Sequence, residues 1–156
     1  MSECARLPVL VRVSACAPVC QADGAARMKD LLTTETELLV CVTCRRKGAP
    51  PEDARRPGRV LFDAIAAQDR PEGLRVTPVE CLQNCSQSCT VALRGGDAKW
   101  TYVFSNVDET EHAAMIVAGA AQYHAAPDGV IPWRERPEHF KRNCLARIPP
   151  LRPKES

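Results

Sequence analysis

From residue 36 onward the chain alternates short apolar runs of β type with stretches of helical period. Glu37–Val42, read as ELLVCV, is short and apolar enough for a buried strand. Arg45–Gly58 is dense in proline, glycine and charge and reads as a loop. Pro57 and Gly58 mark the start of an amphipathic helix over about residues 59–69, where Leu61, Ala64, Ile65 and Gln68 recur at helical spacing. Leu74–Glu80 is the next strand. Thr90–Leu93 and Trp100–Phe104, joined by the turn-rich Arg94-Gly95-Gly96-Asp97, predict a hairpin. Asp108 with Glu111 three residues on has the form of a capping box for a helix over residues 113–123, carrying Ile116, Val117 and Ala120. The predicted order is β-α-β-β-β-α, an α/β fold with a sheet of about four strands. Beyond Ala126, Pro127, Pro132, Pro137, Pro149, Pro150 and Pro153 exclude any long helix or central strand, so this stretch reads as an irregular proline-rich tail that wraps the domain.

The length of 156 residues allows one domain with a real core. Its expected division is an extension over residues 1–35, the folded domain over 36–126 and the tail over 127–156. With 45% hydrophobic and only 4% aromatic residues, Leu, Val, Ile and Ala must supply most of the burial. A net charge of +2 is too small to imply nucleic acid as a partner. No stretch approaches the roughly 20 apolar residues of a membrane span. Val13-Ser14-Ala15-Cys16 has the small-residue form of a lipoprotein cleavage site, but Arg12 interrupts the apolar run before it, so the expectation is a cytoplasmic protein. Residues 1–34 read as a poorly ordered extension, with Met28 a plausible alternative start.

Nine cysteines change the picture, because an odd number cannot pair completely within one chain and disulfides are disfavoured in a reducing cytosol. Cys4, Cys16 and Cys20 are loosely spaced and Cys144 stands alone. The other five form a ladder of C-x2-C, a gap of 36 residues, then C-x3-C-x3-C: Cys41, Cys44, Cys81, Cys85 and Cys89. Both groups sit at predicted strand ends among polar spacers such as Gln83, Asn84, Ser86, Gln87 and Ser88, a setting for metal ligation rather than for apolar core cysteines. An iron-sulfur cluster and zinc are the two candidates. Zinc sites typically repeat C-x2-C or add histidine, whereas the second half here is x3 spaced and His112, His124 and His139 lie far along the chain. The C-x3-C-x3-C spacing also misses the C-x3-C-x2-C of radical-type 4Fe-4S sites by one residue. A thioredoxin-type dithiol at Cys41 and Cys44 is disfavoured because the following segment is a loop, not the start of a helix.

Residues 37–124 resemble the thioredoxin-like 2Fe-2S ferredoxins, the family that includes the small subunit of respiratory complex I. The resemblance is carried by a cysteine at the end of the first strand, a second soon after it, and the turn Glu80-Cys81-Leu82-Gln83-Asn84-Cys85 after another strand. It implies a thioredoxin-like fold and a 2Fe-2S cluster on Cys41, Cys44, Cys81 and Cys85. Where such ferredoxins carry proline four residues past the last ligand this chain has Cys89, a fifth candidate that competes with Cys44 for the fourth place. Over residues 36–151, CVTCRR, VECLQNCSQSCTVAL, KWTYVF and PDGVIPWRERP also resemble a bacterial family of predicted metal-binding proteins often encoded near cobalamin genes.

The resulting expectation is a ferredoxin-like electron carrier that does no bond chemistry on a substrate and so is not an enzyme, with a zinc or other metal-binding module as the alternative. A redox partner protein is implied; its identity and the oligomeric state are open. Arg45, Arg46, Lys47, Arg55, Arg56 and Arg59 against Glu52 and Asp53 form a positive loop beside the first cysteines, either a solvated loop or a docking patch for an acidic partner. Trp133-Arg134-Glu135-Arg136 reads preferentially as a tail anchored by its indole on the core, and otherwise as partner surface. Because no core element falls there, deleting residues 1–27 is expected to leave metal content and thermal midpoint nearly unchanged. Loss of metal on that deletion would make Cys4, Cys16 or Cys20 a ligand.

Overall fold

The structure, a computed structural model, describes residues 35–45, 55–85 and 87–152. The expectations for residues 1–34, including Cys4, Cys16 and Cys20, and for residues 46–54 lie outside them. Eight elements follow in order: β1 Thr36–Cys41, α1 Pro57–Ala66, β2 Leu74–Val79, β3 Cys89–Gly95, β4 Thr101–Val107, α2 Ala113–Ala125, α3 Glu138–Arg142 and β5 Cys144–Ile148. The first six are the predicted β-α-β-β-β-α series of an α/β fold. Among the described residues the sheet has five strands, ordered β2-β1-β3-β4-β5, rather than about four.

β1 lies inside the sheet, parallel to β2 and antiparallel to β3, and all six of its residues are buried. That placement accounts for the unbroken apolar run of its sequence, since a strand flanked on both edges and covered on its faces has no solvent side. The parallel pairing of β1 and β2 needs a long crossover, and α1 supplies it. Pro57 stands in the first turn of α1, where its missing N–H costs nothing, and Leu61 and Ile65 turn inward at i,i+4 spacing.

Leu38, Val40, Val91, Leu93, Tyr102 and Phe104 project from the sheet into one core with Leu61, Ile65, Ile116, Val117, Ala120 and Tyr123. α1 and α2 contact each other and the central strands over it. α2 begins at Ala113, and Asp108 is not its N-cap. The Asp108 carboxylate instead accepts from the N–H groups of Thr110 and Glu111 at 2.8 and 3.1 Å, closing a separate turn ahead of the helix.

The tail is more regular than its prolines foretold. Pro137 precedes α3 and Pro149 follows β5, so the prolines bracket a short helix and an edge strand instead of interrupting them. Phe140, 1% exposed, stacks on Phe104 with ring centroids 3.9 Å apart. The ring needs Gly119 on α2, where a Cβ would lie 2.5 Å from the Phe140 ring. Phe140 and Ile131 therefore anchor the tail. Trp133, the expected anchor, is 61% exposed, with the Arg136 guanidinium 5.8 Å from its ring centroid.

On the sheet face away from this core, Glu37 lies between Arg75 on β2 and Arg94 on β3, its register partners. Its carboxylate accepts from Thr77 at 2.9 Å and from both arginines. Burial alone would raise its pKa, but the hydrogen bonds from Arg94 and Thr77 and the charges of Arg94 and Arg75 outweigh it and hold the carboxyl below its ordinary value. A depressed folded-state pKa contributes stability that is complete above the ordinary carboxylate range and lost as pH falls through the folded value. Glu37→Gln is expected to cost about 1–2 kcal/mol at neutral pH. The deficit should shrink in urea unfolding as pH is lowered from neutral through the ordinary carboxylate range towards the depressed folded value; a deficit independent of pH would mean that the charge contributes nothing.

Candidate functional site

Strand direction gathers the cysteines. β1 and β2 run parallel, with Cys41 opposite Val79, so the segment after β2 emerges beside the end of β1. β3 runs antiparallel to β1, so Cys89 at its start comes to the same end. Val42 N–H donates to the Val79 carbonyl at 2.8 Å, and the Thr43 hydroxyl donates to the Glu80 carbonyl, tying the Cys41–Cys44 turn to the entry of the Cys81–Cys85 turn. Gln83 and Ser88 take positive φ angles of 59° and 56°, which non-glycine residues adopt at a cost of about 1–2 kcal/mol each. The Asn84 amide donates to the Thr90 hydroxyl at 3.1 Å and Asn106 N–H to the Gln87 carbonyl at 2.9 Å, holding that loop onto the sheet.

The five predicted cysteines divide into a buried and an exposed set. Cys41, Cys44 and Cys89 are at most 1% exposed, while Cys81 and Cys85 face solvent. The Cys41 thiol donates to the Glu80 carbonyl at 3.6 Å. The Cys44 thiol lies against Cys89 and Cys41; hydrogen bonding with Cys89, followed by burial, pushes its pKa far above the ordinary thiol value. Cys81 and Cys85 have their sulfurs 4.0 Å apart, and Gln83 N–H donates to the Cys81 sulfur at 3.2 Å. Cys85 is raised as well, first by its contact with Cys81 and more weakly by the charges of Cys44 and Cys41.

One feature had no signal in the periodicity. A Cβ on Gly58 would fall 2.1 Å from the Cys41 carbonyl oxygen and 3.1 Å from the Cys44 nitrogen, so glycine alone lets the first turn of α1 press against the Cys41–Cys44 turn. The sequence puts a loop after Cys44, yet in space a helix N-terminus rests on this turn. The positive end of a helix favours negative charge nearby, as do Arg55, Arg56 and Arg59. Arg56 donates to the Thr43 carbonyl at 3.1 Å, and Arg55 and Arg59 share Asp63.

Neutral thiols packed together gain little, whereas thiolates brought together repel and need a cation to offset their charge. An all-sulfur donor set suits iron-sulfur clusters or zinc. Among the described residues, no group of three or more His, Cys, Asp or Glu side chains is arranged to hold a metal ion as it stands. Two of the histidines are engaged elsewhere: the His112 and His139 rings lie with centroids 4.5 Å apart at an angle of 56°, and His139 also bonds the Ser105 carbonyl. Cys144 lies on β5, outside the group. A cleft of about 360 Å³ opens at the other end of β1, lined by Glu35 and Glu37, which pair with Arg75 and Arg94, and by Lys99.

The sequence family described as "Protein of unknown function (DUF1636)" matches residues 38–150 and so spans all eight elements except the first residues of β1. The chain belongs to this family. Two solved structures of a thioredoxin-like [2Fe-2S] ferredoxin from Aquifex aeolicus are similar to it. The first has 20% identity and a TM-score of 0.46 over 76% of this chain and 97% of that one. The second, the wild-type protein, has 18% identity and a TM-score of 0.45 over 73% and 99%. No curated protein matches the chain.

Gly58→Ala is expected to destabilise the fold by about 1–3 kcal/mol, because the Cβ meets backbone and not a flexible side chain. The thiols of Cys41 and Cys44 should at the same time react faster with a thiol reagent. An unchanged thermal midpoint and thiol reactivity would show that helix and turn do not press on each other.

Proposed function

We propose that this chain is a small electron carrier whose 2Fe-2S cluster is held by Cys41, Cys81 and Cys85, with Cys44 or Cys89 as fourth ligand. The observation that carries the reading is the delivery of five thiols, from three strand ends, to one end of the sheet. The donor chemistry fits the group: all sulfur, with an exposed side at Cys81 and Cys85 and a buried side at Cys41, Cys44 and Cys89. A cluster of this kind accepts and releases electrons at a potential set by its ligands, hydrogen bonds and exposure, about −400 mV in plant-type ferredoxins. The remaining work belongs to the chain. The buried cysteines exclude water from one side, Gln83 N–H offers a hydrogen bond at the Cys81 sulfur, and the N-terminus of α1 with Arg56 offsets negative charge beside Cys41 and Cys44.

The exposed face at Cys81 and Cys85 gives electrons a short route out, and Arg45, Arg55, Arg56 and Arg59 fit an acidic surface on a redox partner protein, with association slowing as salt rises. No substrate chemistry is assigned to these residues. Among the described residues no helix is long and apolar enough to cross a membrane.

Anaerobically purified protein is expected to be red-brown, with iron and acid-labile sulfide each at about two per chain. A colourless protein with one zinc would overturn the reading in favour of a metal-binding module. Cys→Ser variants at positions 41, 81 and 85 are expected to lose the cluster, while Cys44→Ser and Cys89→Ser each keep part of it with an altered spectrum. If Cys89→Ser abolishes the cluster and Cys44→Ser leaves the spectrum untouched, Cys44 is not a ligand.

A further inference from the structure

Cys81 and Cys85 share a property that electron transfer does not require. Both are exposed, with sulfurs 4.0 Å apart across a turn whose apex residue, Gln83, has a φ of 59°. A disulfide has an S–S distance of about 2.05 Å, so the pair must close by about 2 Å. Both cysteines lie on the loop between β2 and β3, outside either strand, so the loop and its exposed side chains are free to take up that movement. Cys41, Cys44 and Cys89 are buried and out of reach of a small-molecule disulfide. Cys144 is exposed on β5, separated from β3 by β4.

The geometry points to Cys81 and Cys85 as an oxidisable dithiol in the cluster-free chain, with low-molecular-weight disulfides of the glutathione class as the co-substrate. The inference rests on the electron-carrier reading only for its consequence, that the disulfide and the cluster exclude one another. The Cys81 sulfur attacks first, because the Gln83 N–H at 3.2 Å presents a positive dipole to it. Its new bond to one glutathione sulfur breaks the S–S bond of glutathione disulfide. The other glutathione leaves with the electron pair and takes up the proton that Cys81 lost. Cys85 then attacks the Cys81 sulfur in the mixed disulfide, and the second glutathione leaves with that electron pair and the Cys85 proton. Two protein thiols lose two electrons and two protons in all, and one glutathione disulfide becomes two glutathione molecules. An emptied site is thereby sealed against further oxidation, and it reloads only after reduction.

The test uses the full chain, stripped of metal under anaerobic conditions with a dithiol reductant that is then removed. The protein is incubated with glutathione disulfide, quenched with acid, unfolded in denaturant so that all its remaining thiols are alkylated, and cut with trypsin. The peptide Val76–Arg94 carries Cys81, Cys85 and Cys89. The expected peptide bears one alkyl group, on Cys89, and has lost two hydrogens between Cys81 and Cys85. Cys85→Ser should stop with one glutathione on Cys81. Three alkyl groups, a bridge that includes Cys89, or stable glutathione on both cysteines would overturn the inference. In a second arm, iron and sulfide are offered to the oxidised and reduced proteins, and only the reduced one should load. Loading of both would overturn the proposed exclusion. Loading of neither would sink the electron-carrier reading and leave the dithiol standing on its peptide map.

Discussion

Six buried residues, Thr36–Cys41, run between a parallel neighbour and an antiparallel one, and the site depends on that arrangement. A parallel partner brings the end of β2 to the end of β1, and an antiparallel partner brings the beginning of β3 there. Three separate segments therefore open at one end of the sheet, each with cysteine at or just beyond its terminus. Because side chains alternate with period two, a slip of one residue in β1 would turn Leu38 and Val40 out of the core and Glu37 into it. The apolar core, of which Cys41, Cys44 and Cys89 are themselves members, thus holds the thiols in register.

The two ends of β1 carry opposite chemistry. At its start, Glu37 is enclosed by two arginines and a threonine, so its charge is paired by opposite charge in direct contact. At its end the thiols pack against one another, and among the described residues the N-terminus of α1 and Arg56 lie against the Cys41–Cys44 turn as positive influences. Neutral, the thiols are tolerated; ionised, they call for a metal. Gly58 makes the helix terminus available, since any side chain there would meet the backbone of Cys41.

The tail closes the fold by a similar use of a missing side chain. Gly119 opens a slot on α2, Phe140 fills it and stacks on Phe104, and the chain is carried back to pair β5 with β4. Burying a phenylalanine in this way is worth about 3–5 kcal/mol by the cost of truncation. Trp133 gains none of this, because it precedes α3 on an exposed turn.

Local pattern alone determined the order of the first six elements and the five cysteines of the site. Apolar runs of strand length, helical spacing at Leu61 and Ile65 and the turn Arg94–Asp97 are short-range signals that do not depend on the fold. Cysteine spacing is likewise readable without coordinates. The fifth strand was not legible, because a five-residue edge strand carries almost no periodicity and the prolines around it have the same local meaning whether they break an element or bracket it. Asp108 had the right spacing for a capping box, but its carboxylate closes the preceding turn, a choice between two local geometries that the packing of α2 decides. Only the tertiary structure decided that Cys41, Cys44 and Cys89 are buried while Cys81 and Cys85 are exposed, and that α1 rests on the Cys41–Cys44 turn through Gly58. These are contacts between residues far apart in sequence, and they exist only once strand order and direction are set.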